Sequence, residues 1–460
     1  MNGRPWNVVL ELLALAGVMA AGVYSTVSAQ EGLLPAQEAL KRFVVPEDLE
    51  IELLLSEPAV RQPVCLTFDE RGRLWVVQYL QYPHPAGLNI VSRDRYWRNV
   101  YDKVPPPPPR HFPGEDKITI HEDTDGDGRF DKQTTFLDGL NIVTSCLPGR
   151  GGVWVLNPPY LLFYPDFNRD DVPDDDPVVH LEGFGLEDTH AVANSLCWGP
   201  DGWLYGAQGS TVTGHVKRPG SGDKPVVSMG QLIWRYHPET RRYEVFAEGG
   251  GNAFGVEIDA KGRLFSGHNG GDTRGFHYVP GAYLQKGFTK HGPLSNPFAF
   301  GYFPPMKHNQ VPRFTHTFVI YEADLLPERY RGMLFGVAPL LRHVVASAIE
   351  PLGATFHTRD VETPVTTSDQ WFRPVDIKLG PDGALYIADW HDGQTNHFRN
   401  HEGQIEKNSG RVYRLKPKVA QARQQMDLAL LSTPSLIEKL DDPNRWQRRM
   451  AQRLLADRRD

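Results

Sequence analysis

Short runs in which apolar residues alternate with polar ones recur along most of this chain. Each is followed by a polar turn ending in glycine and then by a second apolar run. VCLTFDERGRLWVVQY (64–79), NSLCWGPDGWLYGAQG (194–209), FGVEIDAKGRLFSGHN (254–269) and VDIKLGPDGALYIADW (375–390) share the pattern closely; TSCLPGRGGVWVLNPP (144–159) and YRGMLFGVAPLLRHVV (330–345) share it more loosely. Alternation with period two buries one side of a strand, and Asp-Gly or Lys-Gly between two such strands closes a hairpin. Six related units at intervals of roughly 40 to 80 residues predict an all-β, six-bladed β-propeller over residues 40–418, one hairpin per blade. Intervals longer than a bare blade mark insertions. One, from about 80 to 115, carries SRDRYWRNVYDK and five consecutive prolines (105–109); it either caps the mouth of the central channel or forms a surface excursion. Another, 278–305, is dense in aromatics and glycine and is expected to pack over a neighbouring blade.

The two ends break the pattern. Arg4, the apolar run VVLELLALAGVMAAGV (8–23) and the small residues Val27, Ser28 and Ala29 make residues 1–29 a secretory signal peptide or a membrane anchor. The bulk of the chain is then periplasmic or extracellular, with membrane association through the N-terminus if the segment is retained. Residues 425–460 have helical spacing, with Thr433 as cap and Pro434 at the first helical position, and read as the beginning of a HEAT-like helical repeat. The 44 Gly, 38 Pro, 10 Trp and 17 Tyr suit a turn-dense β-protein. A net charge of −7 without a basic stripe argues against nucleic acid as a partner. Cys65, Cys146 and Cys197 occupy similar blade positions, beyond disulfide reach of one another, and read as small buried apolar residues.

Candidate metal ligands come in two acidic turns. In DTDGDGRFD, Asp123, Asp125, Asp127 and Asp131 stand at positions 1, 3, 5 and 9 of an EF-hand loop; Gly128 is at position 6 and the carbonyl of Arg129 is offered at position 7. Position 12 is Thr134 instead of Glu, and the flanks are strand-like. DFNRDDVPD repeats the spacing with Asp166, Asn168, Asp170 and Asp174, but has Asp171 at position 6. Clustered carboxylates repel unless a cation neutralises them. Both turns are expected to be calcium staples between β-strands, structural in role; the alternative is a pair of solvated acidic turns.

HAVANSLCWGPDGWLYGAQGST (190–211), GGGNAFGVEID (249–259), HNGGDTRGFHYVPG (268–281) and WFRPVDIKLGPDGALYIADWHD (371–392) together resemble the N-terminal propeller of the membrane-bound dehydrogenase family of planctomycetes and their relatives. More distantly, they are similar to the soluble quinoprotein glucose dehydrogenases. The first resemblance implies HEAT-like repeats and a haem-binding cytochrome c domain after the propeller. No Cys-x-x-Cys-His occurs here, so any haem is expected on a downstream domain outside this chain. The second implies six blades, pyrroloquinoline quinone (PQQ) at the channel mouth, a calcium requirement, a sugar or alcohol as substrate and a cytochrome as electron acceptor. In that pattern His190 is the base that takes a hydroxyl proton while hydride leaves for the quinone. Ser210 and Gly251 stand where the same pattern has an Asp and an Arg.

Other polar residues expected to gather at the mouth, lining a cofactor or substrate site, are Asn252, His268, Asn269, Asp272, Arg274, Arg373, Asp376, Asp389, Trp390, His391 and Asp392, with His397 and His401 beyond them. Trp390 either stacks on a bound ring or belongs to a blade core. The leading expectation is an exported dehydrogenase of sugars or alcohols with a PQQ-like cofactor. Two alternatives stand beside it: a non-catalytic, calcium-stabilised carbohydrate- or protein-binding propeller, and a metal-dependent lactonase or lyase using channel histidines and carboxylates.

Overall fold

The structure, a computed structural model, describes residues 32–96, 98–210, 212–268, 273–286, 302–308, 316–393, 405–419 and 426–459. The signal or anchor segment 1–29 lies outside the described residues. No helix among those described is long and apolar enough to cross a membrane. The fold that follows belongs to Leu34–Asp460.

Six antiparallel sheets form a six-bladed propeller. Blade 1 consists of Pro63–Phe68, Leu74–Gln78, Asp116–Glu122 and Lys132–Leu140, and blade 2 of Ser145–Pro148, Gly152–Asn157, Tyr160–Pro165 and Val178–Phe184. Blade 3 follows with Ala193–Trp198, Leu204–Gln208, Leu232–His237 and Arg242–Glu248. Blade 4 has three described strands, Ala253–Ile258, Leu264–His268 and Phe276–Tyr278. Blade 5 is Phe318–Ile320, Leu334–Ala338, His343–Leu352 and Thr355–Thr367, and blade 6 is Pro374–Leu379, Leu385–Asp389 and Arg411–Pro417. The fourth strand of blade 6 is Leu49–Leu55, from the start of the chain, so the two ends of the propeller are hydrogen-bonded into one sheet. The first strands of the blades stand side by side around the axis, and that of blade 6 packs on that of blade 1.

The core divides accordingly into six sandwiches, one between each pair of blades. Cys65, Trp75 and Ile120 meet Cys146, Val155 and Leu162 between blades 1 and 2. Leu66, Phe68 and Val76 meet Tyr386, Ala388 and Val412 where blade 6 closes on blade 1. The three cysteines are unbridged, and burial raises their thiols above the usual range, as expected of packing residues.

Five of the six hairpins are the first two strands of a blade. The sixth, 330–345, is the second and third strands of blade 5. Its first strand is only the three residues Phe318–Ile320, and the turn that follows is long and carries the short helix Glu328–Tyr330 before its closing glycine, Gly332. Within the first insertion, Ile90–Arg93 and Asn99–Tyr101 form a hairpin. Asn99 N–H donates to the Glu187 carbonyl (2.8 Å), and Leu88 and Tyr101 pack against Tyr79, Tyr82 and Val192. This places the insertion at the end of the channel where the first strands begin. In the second insertion, Tyr283 pairs with Glu248 at the end of blade 3, and Lys286 makes a buried 2.6 Å ion pair with the same Glu248.

The opposite end of the channel carries the hairpin turns, and there the C-terminal helices Thr433–Glu438 and Arg445–Arg458 dock. The cap of the first is Ser432, one residue before the expected Thr433; its hydroxyl accepts from Ser435 N–H. The second, with its cap, reaches the turns of all six blades. Asn444 donates to the Gly380 carbonyl (3.0 Å), Arg449 to the Ile258 and Asp259 carbonyls, Gln452 to the Pro200 carbonyl, and Arg453 pairs with Glu70 at 2.8 Å. Arg445 pairs with Glu257 and, at 3.1 Å, with Glu322. The helical pair lies across the lower face of the propeller, held there by these polar contacts.

Candidate functional site

At the upper end of the axis lies a chamber of about 130 Å3 that touches all six blades. Val64, Thr144, Asn194 and Ser195, Phe254, Thr317 and Val375 come from the first strands or the residues entering them; Tyr79, Tyr82, Thr189, His190, His316 and Trp390 come from the loops above. The register slips between Pro63 and Cys65, Asn194 and Cys197, Phe254 and Glu257, and Pro374 and Asp376, so four of the first strands carry a β-bulge at this depth. A bulge adds a residue and bends its strand, which turns Val64, Ser195 and Val375 towards the axis.

His190 is fixed by three hydrogen bonds between its loop and residues 79–83. Tyr79 Oη donates to the Thr189 carbonyl (2.9 Å), Thr189 Oγ1 donates to the Pro83 carbonyl (2.5 Å), and Tyr82 Oη lies 3.1 Å from His190 Nδ1. The His190 N–H donates to Asp188 Oδ1 at 3.1 Å. Burial, then Asp188 and Asp392, raise the Tyr82 phenol far above its usual value, so it stays protonated. Trp390 meets the rings of Tyr79 and Tyr82 edge-on at 6.2 and 5.7 Å and forms part of the chamber wall. Across the chamber, His316 stacks on Phe254 at 4.0 Å and donates from Nδ1 to the Val375 carbonyl at 2.7 Å. Burial holds this imidazole neutral, with its pKa pushed down to about 3; the hydrogen bond to Val375 opposes the shift and His190 adds to it.

Of the mouth residues expected from the sequence, His190 and Trp390 line the chamber. Asn252 accepts from Ser210 N–H at 2.6 Å and ties the loops of blades 3 and 4. His268 is buried against Gly251, where a Cβ would stand 1.5 Å from His268 Nδ1, and burial pushes its pKa down to about 4. Arg274 is buried in an ion pair with Asp360 of blade 5 (Nε–Oδ1 3.0 Å). Asp376 accepts from Leu66 N–H and Lys378, joining blade 6 to blade 1. Arg373, Asp389 and His391 belong to a buried network beneath Trp390. Asp389 accepts from the N–H groups of Arg373 and His391 (2.7 and 2.9 Å), His391 Nε2 lies 3.3 Å from Asp369, and Arg373 donates to the Phe372 and Gly393 carbonyls. Burial raises Asp389 to about 6. Asp392 is also buried and accepts from Glu406 N–H at 3.2 Å. Asn269, Asp272, His397 and His401 lie outside the described residues.

The reading of single motifs missed Tyr79, Tyr82, Phe254, His316 and the three threonines. A signal was present: the residues that open the repeats, Val64, Thr144, Asn194, Phe254 and Val375, all line the chamber. Aligning the repeats on that position marks the axis. Thr317 and His316 escape because the blade 5 hairpin is displaced by one strand.

The two acidic loops occupy equivalent places, between the third and fourth strands of blades 1 and 2. Among the described residues, Asp123, Asp125 and Asp127 bring one carboxylate oxygen each within 4.8 Å of the others. Asp131 accepts from the N–H and hydroxyl of Thr124, and Arg129 N–H donates to Asp127. In the second loop Asp171 turns away to a buried bidentate pair with Arg73 (2.6 and 2.8 Å), Asp174 accepts from Phe167 N–H, Asn168 donates to Asp170, and Asp170 N–H lies 3.2 Å from Asp166.

A family model described as a domain of unknown function, DUF7133, matches residues 35–419. No curated protein matches the chain. Among solved structures, a Trichoderma reesei protein of Carbohydrate-Active Enzymes Family AA12 is similar in an iodide form (TM-score 0.51, 12% identity) and a calcium form (TM-score 0.50, 11% identity), each covering 82% of this chain and 97% of that one. The PQQ-bound aldose sugar dehydrogenase of Streptomyces coelicolor has a TM-score of 0.44 at 14% identity, covering 82% of this chain and all of its own, 100%. An oxidoreductase of the glucose dehydrogenase type from Thermus thermophilus has a TM-score of 0.45 at 19% identity, covering 80% and 99%. At these identities the likeness is one of fold.

Proposed function

We propose, for a chain that belongs to the family of the domain of unknown function DUF7133, that the axial chamber is the ligand site of a dehydrogenase-type propeller and takes a small sugar or alcohol. The observation that carries this reading is the convergence of all six blades on one ring-sized chamber containing His190. A cavity of about 150 Å3 is known to hold a benzene ring, so the chamber suits a single six-membered ring. In the oxidation the hydroxyl proton of the substrate passes to His190 and the carbinol hydride to a two-electron acceptor. For Nε2 to take that proton, Nδ1 must carry hydrogen and donate it to Tyr82 Oη. In that tautomer Tyr82 accepts the bond, and as a neutral phenol it does so without itself titrating.

PQQ, which the resemblance implies, does not fit the described chamber. It is a fused tricarboxylate, and neither Arg nor Lys is among the lining residues. Gly251 has no room for a longer side chain, and Arg274 and Arg373 are committed to Asp360 and to backbone carbonyls. Among the described residues nothing is placed to pair with the three carboxylates of PQQ, so in this reading the hydride goes to a two-electron acceptor delivered from outside the chamber. Onward transfer to a cytochrome, outside the cytoplasm, belongs to the same proposal. The converging carboxylates of Asp123, Asp125 and Asp127, with the Arg129 carbonyl, fit a structural calcium ion.

The test is reduction of an artificial electron-accepting dye by the full chain, purified with calcium, over a panel of sugars and alcohols with and without added PQQ. Saturable, substrate-dependent reduction that does not need PQQ supports the reading. Sugar binding without reduction in either condition would make this a binding propeller, and a strict PQQ requirement would overturn the fit argument.

A further inference from the structure

The hydrogen-bonding character of the chamber is one-sided. Thr144 Oγ1 donates to the Ala193 carbonyl (2.7 Å), Thr189 Oγ1 to Pro83 (2.5 Å) and Thr317 Oγ1 to Val375 (3.1 Å). Tyr79 Oη donates to Thr189, and His316 Nδ1 to Val375. The amide hydrogens of Asn194 go to the Val192 and Ala253 carbonyls (3.0 and 3.3 Å). A hydroxyl has one hydrogen and two lone pairs. Once its hydrogen is engaged by the backbone, it can offer an incoming ligand only lone pairs. Six lining side chains have thus spent these donor hydrogens on backbone carbonyls and can meet a ligand as acceptors; among the described lining side chains, Ser195 and Trp390 are left as donors.

The charge distribution points the same way. None of the described lining residues is Asp, Glu, Lys or Arg. The carboxylates of Asp188 and Asp392 lie behind the wall, close enough to act on Tyr79 and Tyr82, and both residues are buried. Tyr79, Tyr82, Trp390 and Phe254 contribute aromatic rings to the lining, and a ring face attracts a cation and not an anion. An anion entering here meets lone pairs, ring faces and nearby negative charge.

We propose that the chamber selects a hydrogen-bond-donating ring without negative charge, so that an amino sugar binds more tightly than its neutral parent and a sugar acid is rejected. The proposal rests on the reading of the chamber as a sugar-type site and names the substrate class within it. An ammonium group offers three donors and no acceptor, and it gains from aromatic faces and from the carboxylates behind them. A carboxylate offers only acceptors and gains from neither.

The experiment is calorimetric titration of the full chain at pH 7 with glucosamine, glucose and glucuronate, repeated on Trp390→Phe, which puts a smaller ring in the chamber wall and leaves the charge unchanged. The expected order is glucosamine, then glucose, then glucuronate, with roughly tenfold or more between the first and the last. The glucosamine affinity should fall in Trp390→Phe, which assigns the binding to the chamber. Glucuronate binding as tightly as glucosamine, and weakening in the same variant, overturns this inference while leaving the sugar site standing. No binding of any of the three overturns the sugar-site reading, and this inference with it.

Discussion

Tyr82 and Gly251 carry most of the argument at the scale of single residues. Tyr82 Oη is 3.1 Å from His190 Nδ1 and holds the ring through that hydrogen bond. Tyr82→Phe keeps the ring that packs on Trp390 and removes the hydroxyl. It is expected to lower the dye-reduction rate by roughly tenfold or more, in line with the usual 10²–10⁴ contribution of a positioned base. Its effect should fall mainly on kcat and shift the pH profile of the rate, which a merely structural change would not do. Gly251 tests the opposite point. Its missing Cβ is the space His268 occupies, so Gly251→Ala should cost about 1–3 kcal/mol by overpacking, read as a lower midpoint in denaturant. An unchanged midpoint would mean that His268 yields easily and that a longer side chain could be accommodated there.

At the scale of elements, the turns are what the chain specifies most sharply. The loop 123–131 sits between two strands of blade 1, and its three converging carboxylates repel in the absence of a cation. Chelation of calcium should therefore lower the melting temperature by several degrees; a site at about 100 times its Kd in free calcium contributes about 2.7 kcal/mol. Asp125→Asn, which keeps the shape and drops the charge, should remove most of that calcium dependence, whereas an identical response in the variant would place the ion elsewhere. The C-terminal helix tests a different joint. Arg445 is buried between Glu257 and Glu322, and Arg445→Ala leaves both carboxylates without that partner, at a cost of about 3 kcal/mol in thermal or denaturant unfolding. Alternation and glycine turns made five of the first-strand hairpins readable directly. The sixth was displaced by one strand because a three-residue strand such as Phe318–Ile320 has too few positions to show a period. The helical pair was equally readable from its spacing and cap, but its docking on the lower face was not, because backbone carbonyls of turns leave no mark in composition.

For the whole molecule, the site exists only as a product of closure. Its wall takes residues from strands more than three hundred positions apart, from Val64 to Val375, and Leu49–Leu55 joins the ring into one sheet with Arg411–Pro417. This explains why the sequence revealed blades and the location of His190 and Trp390, yet assigned Arg274, Arg373, Asp389 and His391 to the mouth. Polar residues near a motif can face the axis or brace a neighbouring blade, and only the closed ring decides which. The same burial sets a pH dependence. His121, His180, His268 and His277 are held neutral with pKa values pushed down to about 4, and His316 to about 3, chiefly by burial. Each binds its proton less readily folded than unfolded, so the stability it contributes is present above the unfolded value near 6.5 and is lost as pH falls through that value towards 4. Asp116 and Asp389, raised to about 7 and about 6 by burial, act in the opposite sense, since their folded forms favour the proton. His308 and His343 are lowered and Asp69, Asp166 and Asp457 raised in the same senses, so the imidazoles outnumber the carboxyls and predict a melting temperature that falls from pH 6.5 to pH 4; a flat or rising profile would mean that the buried carboxyls outweigh them.

The central claim is that the axial chamber, with His190 as its proton acceptor, is where the protein acts. The measurement that tests it most directly is the sugar-dependent rate of dye reduction by His190→Ala beside the unaltered full chain, with intact folding checked by the melting temperature. The account predicts a saturable rate in the unaltered protein that falls by roughly a hundredfold or more in the variant. Equal rates in the two proteins, with the fold preserved, would contradict it.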